Sequence, residues 1–170
     1  MPTLTRKIGG NHIYQHNDVW QSPQDILESW ENPILFIQED NINAIQGFRS
    51  AQLGAIFAIK SHWTVSDDPA TIVMPTGTGK TETMIASIIS ERCQKSLIIV
   101  PSVLLRKQTV DKCATLGILR SLGVISNNII NPSIGCLERT PKSVEELYEI
   151  IIDSNIIVST ASLLNYFTQE

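Results

Sequence analysis

The sequence predicts an α/β fold, a parallel sheet with helices packed on both of its faces. Three observations carry this. Short, β-branched, continuously apolar runs recur at "ATIVM" (70–74), "SLIIV" (96–100) and "NIIVST" (155–160), the composition of strands buried on both sides. Stretches with helical spacing of apolar residues lie between them, and strands alternating with helices imply parallel pairing. A glycine-rich loop, "PTGTGKT" (75–81), joins the first run to the next helix.

The bulk numbers fit one domain. The chain has 170 residues, 42% hydrophobic and 18% charged, with a net charge of −4. An acidic balance argues against a dedicated nucleic-acid binder, whose affinity rests on neutralising phosphate. Local contacts through backbone amides and hydroxyls remain open to such a chain. No apolar run approaches the roughly 20 residues that span a bilayer, and the start lacks the apolar core of a secretory signal, so no membrane partner and a cytoplasmic location are expected. Cys93, Cys113 and Cys136 form no CxxC pair and read as reduced thiols.

In chain order, residues 1–40 form an N-terminal arm of unassigned role, distinct from residues 41–170. "SPQDILESW" offers one short helix, with Ser22 as cap, Pro23 in the first turn and Asp25 near the positive end; Ile26, Leu27 and Trp30 share its buried face. His12 and His16 are four apart, but Gly9, Gly10 and Asn11 oppose a helix there, and both read as exposed polar residues. Phe48, Leu53, Ile56, Phe57 and Trp63 place a helix at about 49–62. After the glycine loop a helix runs over about 80–93, with Met84, Ile85, Ile88 and Ile89 inward. "VLLRKQTVDKCATLG" gives a helix of about 103–116 that Gly117 can end. Turns dominate 118–140, with a short strand near 133–137. "SVEELYEIIID" is a helix with Ser143 and Glu146 in capping-box spacing, and "ASLLNYF" begins another.

A loop of this composition between a buried strand and a helix is suited to phosphate. Gly77 and Gly79 let the backbone take positive φ and turn its amides inward, and the helix N-terminus completes an anion cradle. Thr76, Gly77, Thr78, Gly79, Lys80 and Thr81 are the predicted nucleotide-binding residues. Lys80 would reach the β- and γ-phosphates, and the Thr81 hydroxyl would bind Mg²⁺. The general phosphate-loop pattern has glycine six residues before the lysine; Met74 stands there in this chain.

"PTGTGKT" resembles motif I of superfamily 2 helicases and translocases, DEAD/DEAH-box-like proteins, and in particular the type III restriction subunit and excision-repair branch. Three more stretches agree in order. "FRSAQ" ends 28 residues before Lys80 and resembles the arginine-x-x-glutamine element; the resemblance assigns Gln52 to adenine, with Arg49 beside it. "LIIVPSVLLRKQ" resembles motif Ia, which implies that Pro101 and Ser102 touch a nucleic-acid backbone, although Ser102 also suits a helix cap. "NIIVSTASLL" implies the same for Ser159 and Thr160. The resemblance covers roughly residues 45–168. It implies the N-terminal part of a RecA-like P-loop NTPase domain with ATP and Mg²⁺ as ligands. It also implies nucleic acid as partner, DNA before RNA, and a nuclease or methyltransferase as a partner domain or subunit.

The family also uses an Asp-Glu pair at the end of a further strand, and this chain contains no Asp-Glu dipeptide. The expectation is therefore an incomplete motor domain, cut before that pair, which binds nucleotide weakly and hydrolyses it poorly. Asp153, after "EIIID", is a decoy because its run has helical periodicity. A second class of function, a stand-alone nucleotide kinase or small ATPase, would need Asp153 as its acid. A third, a binding module without catalysis, would need no acid at all.

Overall fold

A computed structural model describes residues 3–164. The chain divides into two compact units. The first draws on residues up to Ser29, on Cys93–Gly117 and on the chain from Ile130 onward; the second is Trp30–Arg92 with Ile118–Ile129.

The first unit holds a five-stranded sheet. Its strands are β1 (Leu4–Ile8), β2 (Asn11–Gln15), β3 (Ser96–Val100), β4 (Ile134–Cys136) and β5 (Ile156–Thr160), in the order β1-β2-β4-β5-β3. β3 and β4 flank β5 in parallel, whereas β1 pairs β2 and β2 pairs β4 antiparallel. The sheet is thus mixed, which corrects the expectation of parallel pairing throughout. The antiparallel half comes from the N-terminal segment, whose Ile8 and Asn11 face each other across Gly9-Gly10, a two-residue turn of the kind that closes hairpins.

Helices cover both faces of this sheet. α5 (Val144–Ile152) lays Ile150 against Ile8, Ile13, Leu137 and Ile157. α4 (Val103–Thr115) lies over the alternate face, where Arg106 and Val110 share a cavity of about 430 Å³ with Tyr14 and Cys136. The period-2 alternation of strand side chains produces this division. Burial in that environment, with Glu138 beside it, pushes the Tyr14 hydroxyl up to about 12. Burial likewise pushes the Cys113 thiol up to about 12 and Cys136 to about 11. Both thiols are free and buried, and Cys93 is half-buried. α1 (Pro23–Ser29) begins as expected, with the Asp25 N–H donating to Ser22 Oγ at 3.1 Å. α6 (Ala161–Leu164) follows β5; the expected continuation of that helix through Phe167 lies outside the described residues.

At α5 the Glu146 N–H donates to Ser143 Oγ at 3.2 Å. The Glu146 carboxylate does not close a reciprocal box on Ser143. It reaches one residue further, accepting from the Lys142 N–H at 2.9 Å, from Arg139 at 2.9 Å and from Asn11 at 3.2 Å. The Lys142 N–H, then Arg139 and Asn11, hold this carboxyl below its ordinary 4.5 against a smaller opposing push from burial. A group depressed on folding contributes stability that is complete above its unfolded value and disappears as pH falls through its folded value. Urea midpoints of the wild-type chain should therefore drop more steeply below pH 4.5 than those of Glu146→Gln; parallel curves would contradict this account.

The second unit packs α2 (Ser50–Val65) on α3 (Lys80–Ser90). Phe48, Leu53, Ile56, Ile85 and Ile89 are buried here, while Phe57 and Trp63 are about half exposed. Lys60 of α2 pairs with Glu91 and donates to Ser90 Oγ at 3.0 Å, fixing the far end of α3. Residues 70–75 form no strand among the described residues, which corrects the buried strand expected at 70–74. Met74 is buried, but Ile72 and Val73 are 41% and 88% exposed. An apolar β-branched run specifies an extended segment only when a neighbouring strand takes up its backbone groups, and no ladder forms here.

Candidate nucleotide-binding loop

The loop after Met74 is shaped by its glycines. Gly77 has φ +82 and Gly79 φ +88, the left-handed region that costs glycine least. Gly79 is also the N-cap of α3, so Lys80 and Thr81 open that helix. The first turn of a helix carries N–H groups with no acceptor inside the helix and the positive end of its dipole. A phosphate fits that chemistry. Lys80 is exposed and Thr81 half-buried.

The loop's alternate carbonyls are all held by side chains. The Pro75 carbonyl accepts from Thr78 Oγ1 at 2.7 Å and from Lys80 Nζ at 3.0 Å. The Gly77 carbonyl accepts from Arg49 Nη1. The Gly79 carbonyl accepts from the Thr83 N–H and hydroxyl, at 3.0 and 3.1 Å, and from Gln52 Nε2 at 3.3 Å. Gln52 is 3% exposed, and its amide oxygen accepts the Arg49 N–H at 3.0 Å. Both ends of the Gln52 amide are thus engaged by protein groups. Arg49 is the N-cap of α2, with Gln52 at the third helical position, so one helix start delivers both side chains to the loop.

The fold brings Arg49 and Gln52 to the glycine loop through their bonds to the Gly77 and Gly79 carbonyls. Thr83 was missed; its only sequence signal is a position one turn beyond Gly79, where a hydroxyl can bond back to the carbonyl four residues earlier. Glu82, also buried in that first turn, carried no signal beyond the preference of acidic groups for helix starts.

The remaining predicted residues share one edge of the sheet in the other unit. Val100 of β3 stands in register with Thr160 of β5, so Pro101-Ser102 and Ser159-Thr160 sit together at the carboxyl ends of parallel strands. Pro101 and Ser102 are exposed, and Ser102 Oγ caps α4 by accepting from the Leu105 N–H at 3.3 Å. Ser159 and Thr160 are buried. Ser159 Oγ bonds to the Thr160 carbonyl at 3.3 Å, and Thr160 Oγ1 lies 3.1 Å from Ser162 Oγ. Asp153 ends α5 as its C-cap and pairs with Arg6 of β1. His12 lies on β2 with Nδ1 at 3.2 Å from Glu138 Oε1. Among the described residues no cluster of three metal-ligating side chains occurs, and no helix is long and apolar enough to cross a membrane.

Neither a curated protein nor a solved structure matches the chain. A family model does, over residues 45–165, and that span contains Arg49, Gln52, the whole glycine loop and the sheet edge at Ser102 and Thr160. The chain belongs to the type III restriction enzyme res-subunit family, and residues 45–165 are its helicase-like ATP-binding domain.

Proposed function

We propose that residues 76–81 bind the triphosphate of ATP, and that the chain supplies the nucleotide-binding part of a translocase acting on DNA. The observation that carries this reading is the loop itself: two glycines at positive φ, carbonyls tied back by side chains, and Lys80 at the start of α3. With those carbonyls held, the amides of the loop and of the first helical turn are left to face an anion. Lys80 would leave the Pro75 carbonyl for the β- and γ-phosphates, a charge-assisted bond replacing a neutral acceptor. The Thr81 hydroxyl would hold Mg²⁺, which neutralises charge on the phosphates.

The sheet edge at Pro101, Ser102, Ser159 and Thr160 is the proposed contact for the nucleic-acid backbone. Exposed Ser102, at the N-terminus of α4, offers a hydroxyl and helix amides to a phosphate. Buried Ser159 and Thr160 shape that edge from beneath. DNA is proposed before RNA, with a nuclease or methyltransferase as the functional partner. A stand-alone ATPase with Asp153 as its acid finds less support, because Asp153 is a helix C-cap paired with Arg6.

Calorimetric titration of the full chain with ATP tests the reading. Saturable binding that requires Mg²⁺ and is competed by ADP is expected, with duplex DNA altering the ATP affinity through linkage. Absence of saturable binding at millimolar ATP would end the proposal.

A further inference from the structure

We propose that the cavity between α4 and the sheet of the first unit binds a small zwitterion of the α-amino acid type, with Arg106 receiving its carboxylate and Glu138 its ammonium group. Every residue lining this cavity belongs to that one unit.

Val103, Arg106 and Val110 of α4 stand at i, i+3 and i+7, the spacing of one helix face. That face meets the sheet, where Val110 and Cys136 are 5% and 4% exposed. The position between the two valines calls for an apolar residue, and an arginine stands there, itself only 8% exposed. Burying a guanidinium carries a cost that an opposite charge normally offsets. Among the described residues Arg106 has no such partner. Its Nη1 donates to the neutral Leu137 carbonyl at 2.9 Å, and it forms no ion pair. Its remaining N–H groups are not sealed in. Among the described residues only Ser154 Oγ is both buried and unpartnered, so those of Arg106 open into the cavity they line.

Glu138 lines the same cavity but turns one oxygen elsewhere. Its Oε1 lies 3.2 Å from His12 Nδ1 and accepts from the Tyr14 hydroxyl at 3.5 Å and the Cys136 thiol at 3.9 Å. Its Oε2 accepts no bond from the described residues. An unmatched cation and a half-engaged carboxylate therefore share one space of about 430 Å³. Exposed Lys107 and Asp111 add one charge of each sign to the lining. A simple anion would meet Glu138 and Asp111, and a simple cation would meet Arg106 and Lys107. A ligand carrying both charges finds an opposite charge at each end. A carboxylate matches the planar fork of a guanidinium, and an apolar side chain suits the valines. The volume falls within the roughly 300–1,000 Å³ of small-molecule sites.

The test follows backbone N–H signals of the full chain by NMR during titration with L-leucine, L-methionine and L-phenylalanine in turn. At least one should give saturable shifts at Cys136, Leu137 and Glu138 at millimolar concentration. Its carboxamide, which lacks the carboxylate, and its deaminated acid, which lacks the ammonium group, should each bind about tenfold more weakly or worse. Glu138→Gln keeps an oxygen for His12 and Tyr14 but removes the charge. It should weaken the amino acid about tenfold and leave the deaminated acid unchanged. Arg106→Met restores an apolar residue to the α4 stripe and should abolish binding in a chain that still melts cooperatively. No saturable shift at residues 136–138 with any of the three amino acids would overturn the proposal. So would a carboxamide or deaminated acid that binds as tightly as its parent, or full binding by Arg106→Met, which would leave the guanidinium serving the Leu137 carbonyl alone. Unchanged binding by Glu138→Gln would overturn it too, and that exposed position keeps the test decisive should Arg106→Met fail to fold.

Discussion

Replacing Lys80 with alanine should lower the affinity of the chain for Mg-ATP by roughly 10- to 100-fold while leaving its melting temperature nearly unchanged. The size follows from the bond removed: a hydrogen bond from a charged donor is worth about 1.5–3 kcal/mol, and each 1.4 kcal/mol is a factor of about ten. The stability side follows from position. Lys80 is exposed at the first residue of α3, where alanine is a better helix former. Its present partner, the Pro75 carbonyl, keeps the Thr78 hydroxyl at 2.7 Å, so no acceptor is orphaned. Calorimetric titration of both proteins with Mg-ATP, beside a thermal melt of each, makes the comparison. Unchanged affinity would mean that the loop does not hold the triphosphate. A large fall in melting temperature would mean that Lys80 supports the fold rather than the ligand.

Much of the loop's geometry was legible because its signals are local. The glycines, Lys80 and Thr81 lie within a few residues, and positive φ at Gly77 and Gly79 is what those residue types permit. β3 at 96–100 and β5 at 156–160 fall almost where their apolar runs place them, as do α3 and α4. The failures share one cause, since a strand is defined by its partner. "ATIVM" has the composition of a buried strand, yet no ladder forms at 70–75. Conversely, β2 buries Asn11, Ile13 and Gln15, so only one of its three inward residues is apolar and the period of two is nearly silent. Asn11 pays its desolvation cost by accepting from the Glu138 and Arg139 N–H groups at 2.8 and 3.1 Å, partners more than a hundred residues away. Gly9-Gly10 was the usable signal, a hairpin turn between two short runs. The packing of Gln52 was hidden for a similar reason: the resemblance names a residue, while its burial and its bonds to Arg49 and Gly79 exist only once α2 and α3 have packed.

Gly79→Ala should be the more damaging change at the loop, and its cost should depend on Gln52. A residue other than glycine at positive φ loses roughly 1–2 kcal/mol, and both loop glycines carry that term, at φ +82 and +88. At Gly77 nothing lies within 4 Å of the added methyl group, so the strain stands alone. At Gly79 the methyl group would be driven into Gln52 Nε2. Gln52 cannot withdraw freely, because it is buried and bonded to Arg49 and to the Gly79 carbonyl. Displacing it forfeits about two hydrogen bonds at about 0.5–1.5 kcal/mol each, which brings Gly79→Ala to roughly 2–5 kcal/mol against roughly 1–2 for Gly77→Ala. A double-mutant cycle isolates the difference. In a Gln52→Ala background the obstruction is gone, and Gly79→Ala should cost only the conformational term, about 1–2 kcal/mol. Urea unfolding of the four proteins measures it. Additive effects at 52 and 79 would show that the two residues do not share space.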